Sequence, residues 1–339
     1  MSDQLKLAII GCGAIARFHL DGIKAKAPRI QVTTLVDLDI SKAQVFAAET
    51  GGRAFDSLDE ALAKGDFDAV DILLPHDLHE KIAIQCLQAG KHVLLEKPIA
   101  PTLDACDRIF AAAKKAPGVF MVAENSQYWP EIVEAKKHIE AGAIGDIITA
   151  RAAFVYAFEE YWFEEKNSWR YEKGRTGGGI IIDGGSHWIR PLRMWMGELK
   201  EVVGVLGHPL EQMEGESLTR ALFRFESGKT AIFDAMMINT TFAPDPWWRI
   251  TGTDGEITIN ADLESAELWL WDADYPNGKK LFASAGYPES FGGELADFTA
   301  AVLDGKALDA GPEQALGELR AALAIYRSAE SGRWEPVWD

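Results

Sequence analysis

Three stretches of the chain carry residue types at spacings that could do chemistry. The first is Gly11-Cys12-Gly13-Ala14-Ile15-Ala16, a G-x-G-x-x-A turn between an apolar run, Leu7 to Ile10, and a helical pattern. In such a turn Gly11 permits the tight bend, Gly13 lets the backbone approach a pyrophosphate, and Ala16 allows close helix–strand packing. The helix start then offers N–H groups and a positive dipole end to phosphate. Asp37 follows 26 residues after Gly11 at the end of a second apolar run. An acid there can accept hydrogen bonds from ribose hydroxyls and repel a 2′-phosphate, so NAD is expected as cofactor and NADP is disfavoured.

The second stretch ends in Glu96-Lys97-Pro98. Lys97 closes the run His92 to Leu95, so a parallel sheet would put it at the ligand-binding edge, next to a proline able to take a cis bond. A solvated surface lysine is the other reading. The third is Gly177-Gly178-Gly179-Ile180-Ile181-Ile182-Asp183-Gly184-Gly185-Ser186-His187. Small residues around Asp183 and His187 leave room for a ligand, and a helix starting here brings both side chains to one pocket. Histidine is the usual general acid/base near neutral pH. A buried structural histidine bonded to Asp183 fits the same spacing.

The elements that must position these residues can be read from periodicity. Apolar runs at Leu7–Ile10, Val32–Val36, Ala69–Leu74, His92–Leu95 and Phe120–Ala123 alternate with helical stretches, with Ser41 the expected cap of one helix. This alternation predicts a doubly wound parallel sheet over residues 1–124. From Asn125 the pattern changes. After one helix, strands dominate from Ile147 to Trp271, with hairpins at Glu226-Ser227-Gly228-Lys229 and Thr253-Asp254-Gly255. Two helices, about 291–303 and 312–331, close the chain. The expected fold is α/β: a Rossmann domain, 1–124, and an α+β domain, 125–339, with an open, mostly antiparallel sheet for substrate binding and oligomerisation. The last helix is free to pack back on the first domain.

Composition narrows the partners. The chain has 339 residues, 47% hydrophobic, with formal net charge −18. Nucleic acid and anionic membrane both call for a basic surface and are not expected. Cys12, Cys86 and Cys106 are few and unpaired in spacing, which suits a reduced, cytoplasmic protein. Neither a signal peptide nor a spanning helix is expected. His76 and His79 form an H-x-x-H pair without further ligands, so no metal is expected.

Taken in order, these motifs, with Pro75 to His79, Asn125 to Pro130 and the closing Tyr326-Arg327-Ser328-Ala329, resemble the Gfo/Idh/MocA oxidoreductases over nearly the whole chain. The resemblance implies an NAD(P)-dependent enzyme exchanging hydride with a secondary alcohol or carbonyl of a sugar, polyol or related cyclic substrate, assembled as a homodimer or homotetramer. It implies Lys97, Asp183 and His187 as the catalytic trio. It places Gly11, Cys12, Gly13, Ala14, Ile15, Asp37, Leu74, Pro75, His76, His79, Glu96, Lys97 and Asn125 at the cofactor. Substrate contacts fall on Gln127, Trp169, Arg170, Asp183, His187 and Arg190. Two positions depart from the family pattern: Gln127 stands where arginine is frequent, and Arg190 where aspartate is common three residues after the histidine. Arg190 therefore suggests either a substrate with an acidic group or a structural pair with Glu159, Glu160 or Asp183. The tryptophans leave an aromatic dihydrodiol substrate open. A redox-neutral NAD-dependent glycosidase and a non-catalytic dinucleotide sensor are the readings from other classes.

Overall fold

The computed structural model describes residues 3–158, 168–241, 243, 245–262, 265–285 and 288–338. Glu159, Glu160 and Trp162 lie outside the described residues. The chain forms two compact units. One joins Met1–Glu124 with Phe291–Ala315, the other Asn125–Ser290 with Leu316–Asp339.

The first unit holds β1 (Leu5–Ile10), β2 (Ile30–Val36), β3 (Arg53–Phe55), β4 (Ala69–Ile72), β5 (His92–Glu96) and β6 (Phe120–Ala123), all parallel, in the order β3-β2-β1-β4-β5-β6. Its helices include α1 (Ala14–Lys26), α2 (Ile40–Thr50), α3 (Leu58–Lys64), α4 (His76–Gln88) and α5 (Leu103–Ala113). The central strands are apolar on both faces: Leu7, Ile9, Val70, Ile72 and Val93 to Leu95 have no exposed surface. That is the pattern of a sheet covered on both sides. Strand order reverses between β1 and β4, which opens a crevice at their carboxyl ends. The cap of α2 corrects the expectation for Ser41. Asp39 is the cap, because its Oδ1 accepts both the amide and the hydroxyl of Ser41.

The second unit is built on nine strands: β7 (Ile147–Ala157), β8 (Leu199–Gly207), β9 (Leu218–Phe225), β10 (Thr230–Ile238), β11 (Trp248–Gly252), β12 (Gly255–Ala261), β13 (Ala266–Asp272), β14 (Lys279–Ser284) and β15 (Glu335–Pro336). Their order is β14-β13-β12-β11-β7-β10-β9-β8-β15, antiparallel throughout except for β7 beside β10. Helices α6 (Pro130–Glu140), α7 (Ser186–Met196) and α9 (Leu316–Ser331) belong to this unit. Between α7 and α9 comes α8 (Pro288–Asp304), grouped with the first unit from Phe291. The closing helix thus belongs to the second unit, and the helix before it to the first.

Alternation sorts the sheet into two faces. Phe154, Phe223, Phe233, Trp248 and Ile250 are buried on the inner face. There α7 places Trp188 4.5 Å from the Phe154 ring. The opposite face carries the row Leu222, Ile232, Arg151, Arg249, Thr258 and Trp269 across neighbouring strands. Among the described residues no helix is long and apolar enough to cross a membrane.

Candidate active site

At the carboxyl edge of the first unit, β1 runs into the glycine turn. Gly11 has φ +96°, and a Cβ there would stand 2.3 Å from the Leu73 carbonyl oxygen, so the neighbouring strand alone demands glycine. The same packing sets Leu74 against the turn. Gly13 is the N-cap of α1 and supplies no side-chain cap, so the first turn of the helix is built without an internal anion. Asp37 leaves the end of β2 half-buried. Its Oδ2 accepts from the Cys12 amide at 2.8 Å and its Oδ1 from the Asp39 amide at 2.9 Å. The acid and the glycine turn are therefore one hydrogen-bonded unit. Burial and the Asp37 charge push the Cys12 thiol up to about 12, so it stays protonated and contributes shape rather than a nucleophile.

Glu96 and Lys97 end β5, and the Lys97–Pro98 bond is cis. Glu96 Oε2 accepts from the Lys97 amide at 2.9 Å. Glu96 Oε1 lies 3.0 Å from His19 Nε2, whose Nδ1 lies 2.8 Å from Asp71 Oδ2. Burial alone would lower the His19 pKa, but the two carboxylates outweigh it and hold the ring well above the usual histidine range. The imidazolium donates to both. His19 and Asp71 were not among the residues expected at the site. The signal was available: an aspartate inside the apolar run Ala69 to Leu74 on a central strand has to find a buried partner.

His79 corrects an expectation. Its ring has no exposed surface for a cofactor, and its nitrogens lie 2.9 Å from the Pro98 carbonyl and 2.8 Å from the Leu74 carbonyl. It braces the loops around Lys97. His76, 5.7 Å away ring to ring, is also buried.

In the second unit Asp183 lies in a π-helical turn, Ile181–Gly185, that runs directly into α7, and His187 is the second residue of α7. Asp183 Oδ2 accepts from Arg170 Nε at 3.0 Å, and the Arg170 guanidinium lies 4.6 Å over the Trp169 ring. The expected substrate residues Trp169 and Arg170 thus form a stacked arm on Asp183. His187 is nearly buried beside Trp129, ring centroids 6.2 Å apart. Trp129, Trp188, Trp195, Trp247 and Trp248 are buried and pack on one another. They form a core, so packing accounts for these five.

Asn125 donates from Nδ2 to Ser290 Oγ at 2.8 Å, and its Oδ1 is buried with no protein donor. Gln127 and Arg190, both departures from the family pattern, turn out to be partners. Gln127 Oε1 accepts from Arg190 Nε at 3.1 Å and from Nη2 at 2.7 Å. Arg190 is 3% exposed and also faces Glu318 on α9, which Arg193 shares. Among the described residues its partners are thus Gln127 and Glu318, not Asp183, one of the acids expected as a structural pair. Among the described residues no cluster of three or more potential metal ligands is found.

Comparison with known proteins follows the same division. Residues 5–124 match the model of an oxidoreductase family with an NAD-binding Rossmann fold, and residues 132–258 match the Gfo/Idh/MocA C-terminal domain. A scyllo-inositol 2-dehydrogenase (NADP(+)) of Bacillus subtilis is 30% identical over 76% of each chain. The levoglucosan dehydrogenase of Pseudarthrobacter phenanthrenivorans is 27% identical over 99% of this chain and 98% of that protein. Among solved structures, an oxidoreductase from Thermotoga maritima is 29% identical with a TM-score of 0.86 over 98% of both chains. A levoglucosan dehydrogenase in complex with NADH has a TM-score of 0.85 at 24% identity, over 98% of this chain and 99% of that one.

Proposed function

This chain belongs to the Gfo/Idh/MocA family of oxidoreductases, and from that premise we propose that it moves a hydride between NAD and a secondary alcohol or carbonyl of a sugar, polyol or related cyclic substrate. The observation that carries the reading is the element bearing Asp183 and His187, with Asp183 held by the stacked Arg170. The nicotinamide supplies, when bound, a carbon that accepts or returns the hydride. His187 takes the proton of the substrate hydroxyl as general base and returns it in the reductive direction. The Lys97 ammonium stabilises the charge that develops on that oxygen. Asp183 orients the base or binds a neighbouring hydroxyl.

The residues present fit the dinucleotide. Gly11, Cys12, Gly13, Ala14 and Ile15 would hold the pyrophosphate at an α1 start without a side-chain cap. Asp37 would take the ribose hydroxyls, and Leu74, Pro75, His76, Glu96 and Asn125 the remainder. The buried Asn125 Oδ1, without a protein donor, suits a donor such as a carboxamide. The Asp37 carboxylate, held by the Cys12 and Asp39 amides, would repel a 2′-phosphate and so favour NAD over NADP. Dissociation constants for both cofactors test this, and equal or tighter NADP binding would refute it.

The activity is tested with a panel containing levoglucosan, scyllo-inositol and other neutral sugars and polyols, followed at nicotinamide absorbance. Lys97→Ala and His187→Ala are each expected to lose about 100-fold or more in turnover, with cofactor affinity little changed. Near-normal turnover in either variant removes that residue's role, and no net change in nicotinamide with any sugar removes the dehydrogenase reading.

A further inference from the structure

Two motifs of the sequence, the triple glycine Gly177 to Gly179 and the closing Tyr326, have no part in the chemistry above. The fold brings them together on one buried acid, Glu216. Three successive amides at the head of the element that carries Asp183 and His187 all donate to this one residue. Gly179 N–H reaches Glu216 Oε2 at 2.9 Å, Ile180 N–H the Glu216 carbonyl at 2.9 Å, and Ile181 N–H Glu216 Oε1 at 3.0 Å. The Gly179 amide also lies 3.1 Å from the Tyr326 hydroxyl, which donates to Glu216. A helix start leaves its first amides without intrahelical partners. Here a residue distant in sequence takes them, from within the protein: Glu216 is 2% exposed.

The glycines are what this approach requires. A Cβ on Gly179 would stand 2.0 Å from the Glu216 carbonyl oxygen, and one on Gly178 2.0 Å from the Tyr326 hydroxyl. The next residues form the π turn, in which Gly185 N–H bonds the Ile180 carbonyl at 2.8 Å. A π turn is wider than an α turn and strains the ladder. Fixing the two amides that lead into the turn, Gly179 and Ile180, and its own first amide, Ile181, fixes where Asp183 and His187 fall, four residues apart across the junction with α7. Helix α9, which carries Tyr326, also holds α7 further along, through Glu318 on Arg190 and Arg193.

We infer that Glu216 and Tyr326 are positioning residues, which set the π turn and thereby the placement of Asp183 and His187 for the reaction. The inference rests on the role given to His187 above. Glu216→Gln puts an amide NH₂ against a backbone N–H, so one of the two side-chain acceptors is lost while volume is kept. Tyr326→Phe removes a single hydroxyl and keeps the ring. The imidazole resonances of His187, assigned with His187→Gln, are followed by NMR in both variants, beside melting temperature, NADH affinity and kcat on the best sugar of the panel. In Glu216→Gln the His187 resonances are expected to move beyond their wild-type linewidth. Its kcat is expected to fall about 10- to 100-fold, with the NADH dissociation constant within about twofold. Tyr326→Phe is expected to move in the same direction by less, and it carries the test if Glu216→Gln does not fold. Folded variants whose His187 resonances stay in place overturn the inference, whatever their kcat. A lower melting temperature with unchanged kcat overturns it too, since that is a purely structural role. Full turnover in His187→Ala would end the functional reading instead, and the resonances would still decide the positioning.

Discussion

Gln127 and Arg190 are 63 positions apart in the sequence and in hydrogen-bond contact in the fold. Each is legible as a departure from the family pattern; that they are one departure is not. Where the resembled family pattern has arginine and aspartate, this chain has an amide and a guanidinium, and the two meet in a hydrogen bond. With Glu318 already bound to Arg193 and facing Arg190, the guanidinium is answered inside the protein. Arg190→Gln is therefore expected to cost on the order of 2 kcal/mol of stability, the scale of hydrogen bonds to a charged group. It should leave the ratio of rates on neutral sugars and their acid forms unchanged. Denaturant melts and a paired substrate series check this. A specific loss on the acid forms would return Arg190 to the substrate. Single residues with chemical character, Lys97, Asp183 and His187, could be picked out from type and spacing. Glu216 could not, because nothing local marks a buried acid whose partners are amides 35 and 37 positions away.

Elements were legible in proportion to their burial. The central strands β1, β4 and β5 are mostly apolar, interrupted by Lys6 and Asp71 and bounded by His92 and Glu96. The three-residue β3 is an edge strand with Arg53 exposed and one residue buried, too short for periodicity to speak. The parallel pairing of β7 with β10 is set by tertiary register between Thr149 and Thr230, which no local pattern encodes. Helix α8 shows what hydrophobic pattern hides. It carries Glu294, fully buried, neither oxygen with a hydrogen-bond partner, in the company of His19, Glu96, Asp71 and Glu124. Burial raises its pKa well above the ordinary range; the His19 charge works against that shift, and the Glu96, Asp71 and Glu124 carboxylates add to it. A folded-state pKa above the unfolded value of about 4.5 means the folded state holds a proton that the unfolded chain releases. Its contribution to stability is full below that unfolded value and is lost as pH rises through the folded one. His19, also raised, has the same sign. The first unit should therefore weaken toward alkaline pH. Glu294→Gln, which mimics the protonated acid, should flatten the fall in melting temperature between neutral pH and about pH 9. Parallel curves for the two proteins would mean that Glu294 does not bind the proton.

At the scale of the whole molecule, the exposed sheet face is where a partner remains to be assigned. A net charge of −18 keeps copies apart at long range. The outer face of the nine-stranded sheet is nevertheless not a strongly charged surface. Its arginines are answered locally: Arg151 by Asp234 and Asp245, Arg220 by Asp234, Arg224 by Glu201. Between them Val205, Leu222 and Ile232 are 61%, 46% and 44% exposed, and Trp269 stacks on Trp271 at 6.2 Å toward the other end. A mostly antiparallel sheet that exposes branched aliphatics on one face is suited to a second copy of itself. Two-fold pairing sets such a face against its own image, so a cation added at its centre meets a like charge across the interface. A homodimer or homotetramer is expected by light scattering in wild-type protein, and Leu222→Lys combined with Ile232→Lys is expected to shift it to monomer without unfolding either unit. A wild-type monomer at all concentrations would refute assembly. An oligomer indifferent to the paired lysines would place the interface on some other surface and leave this face to another partner.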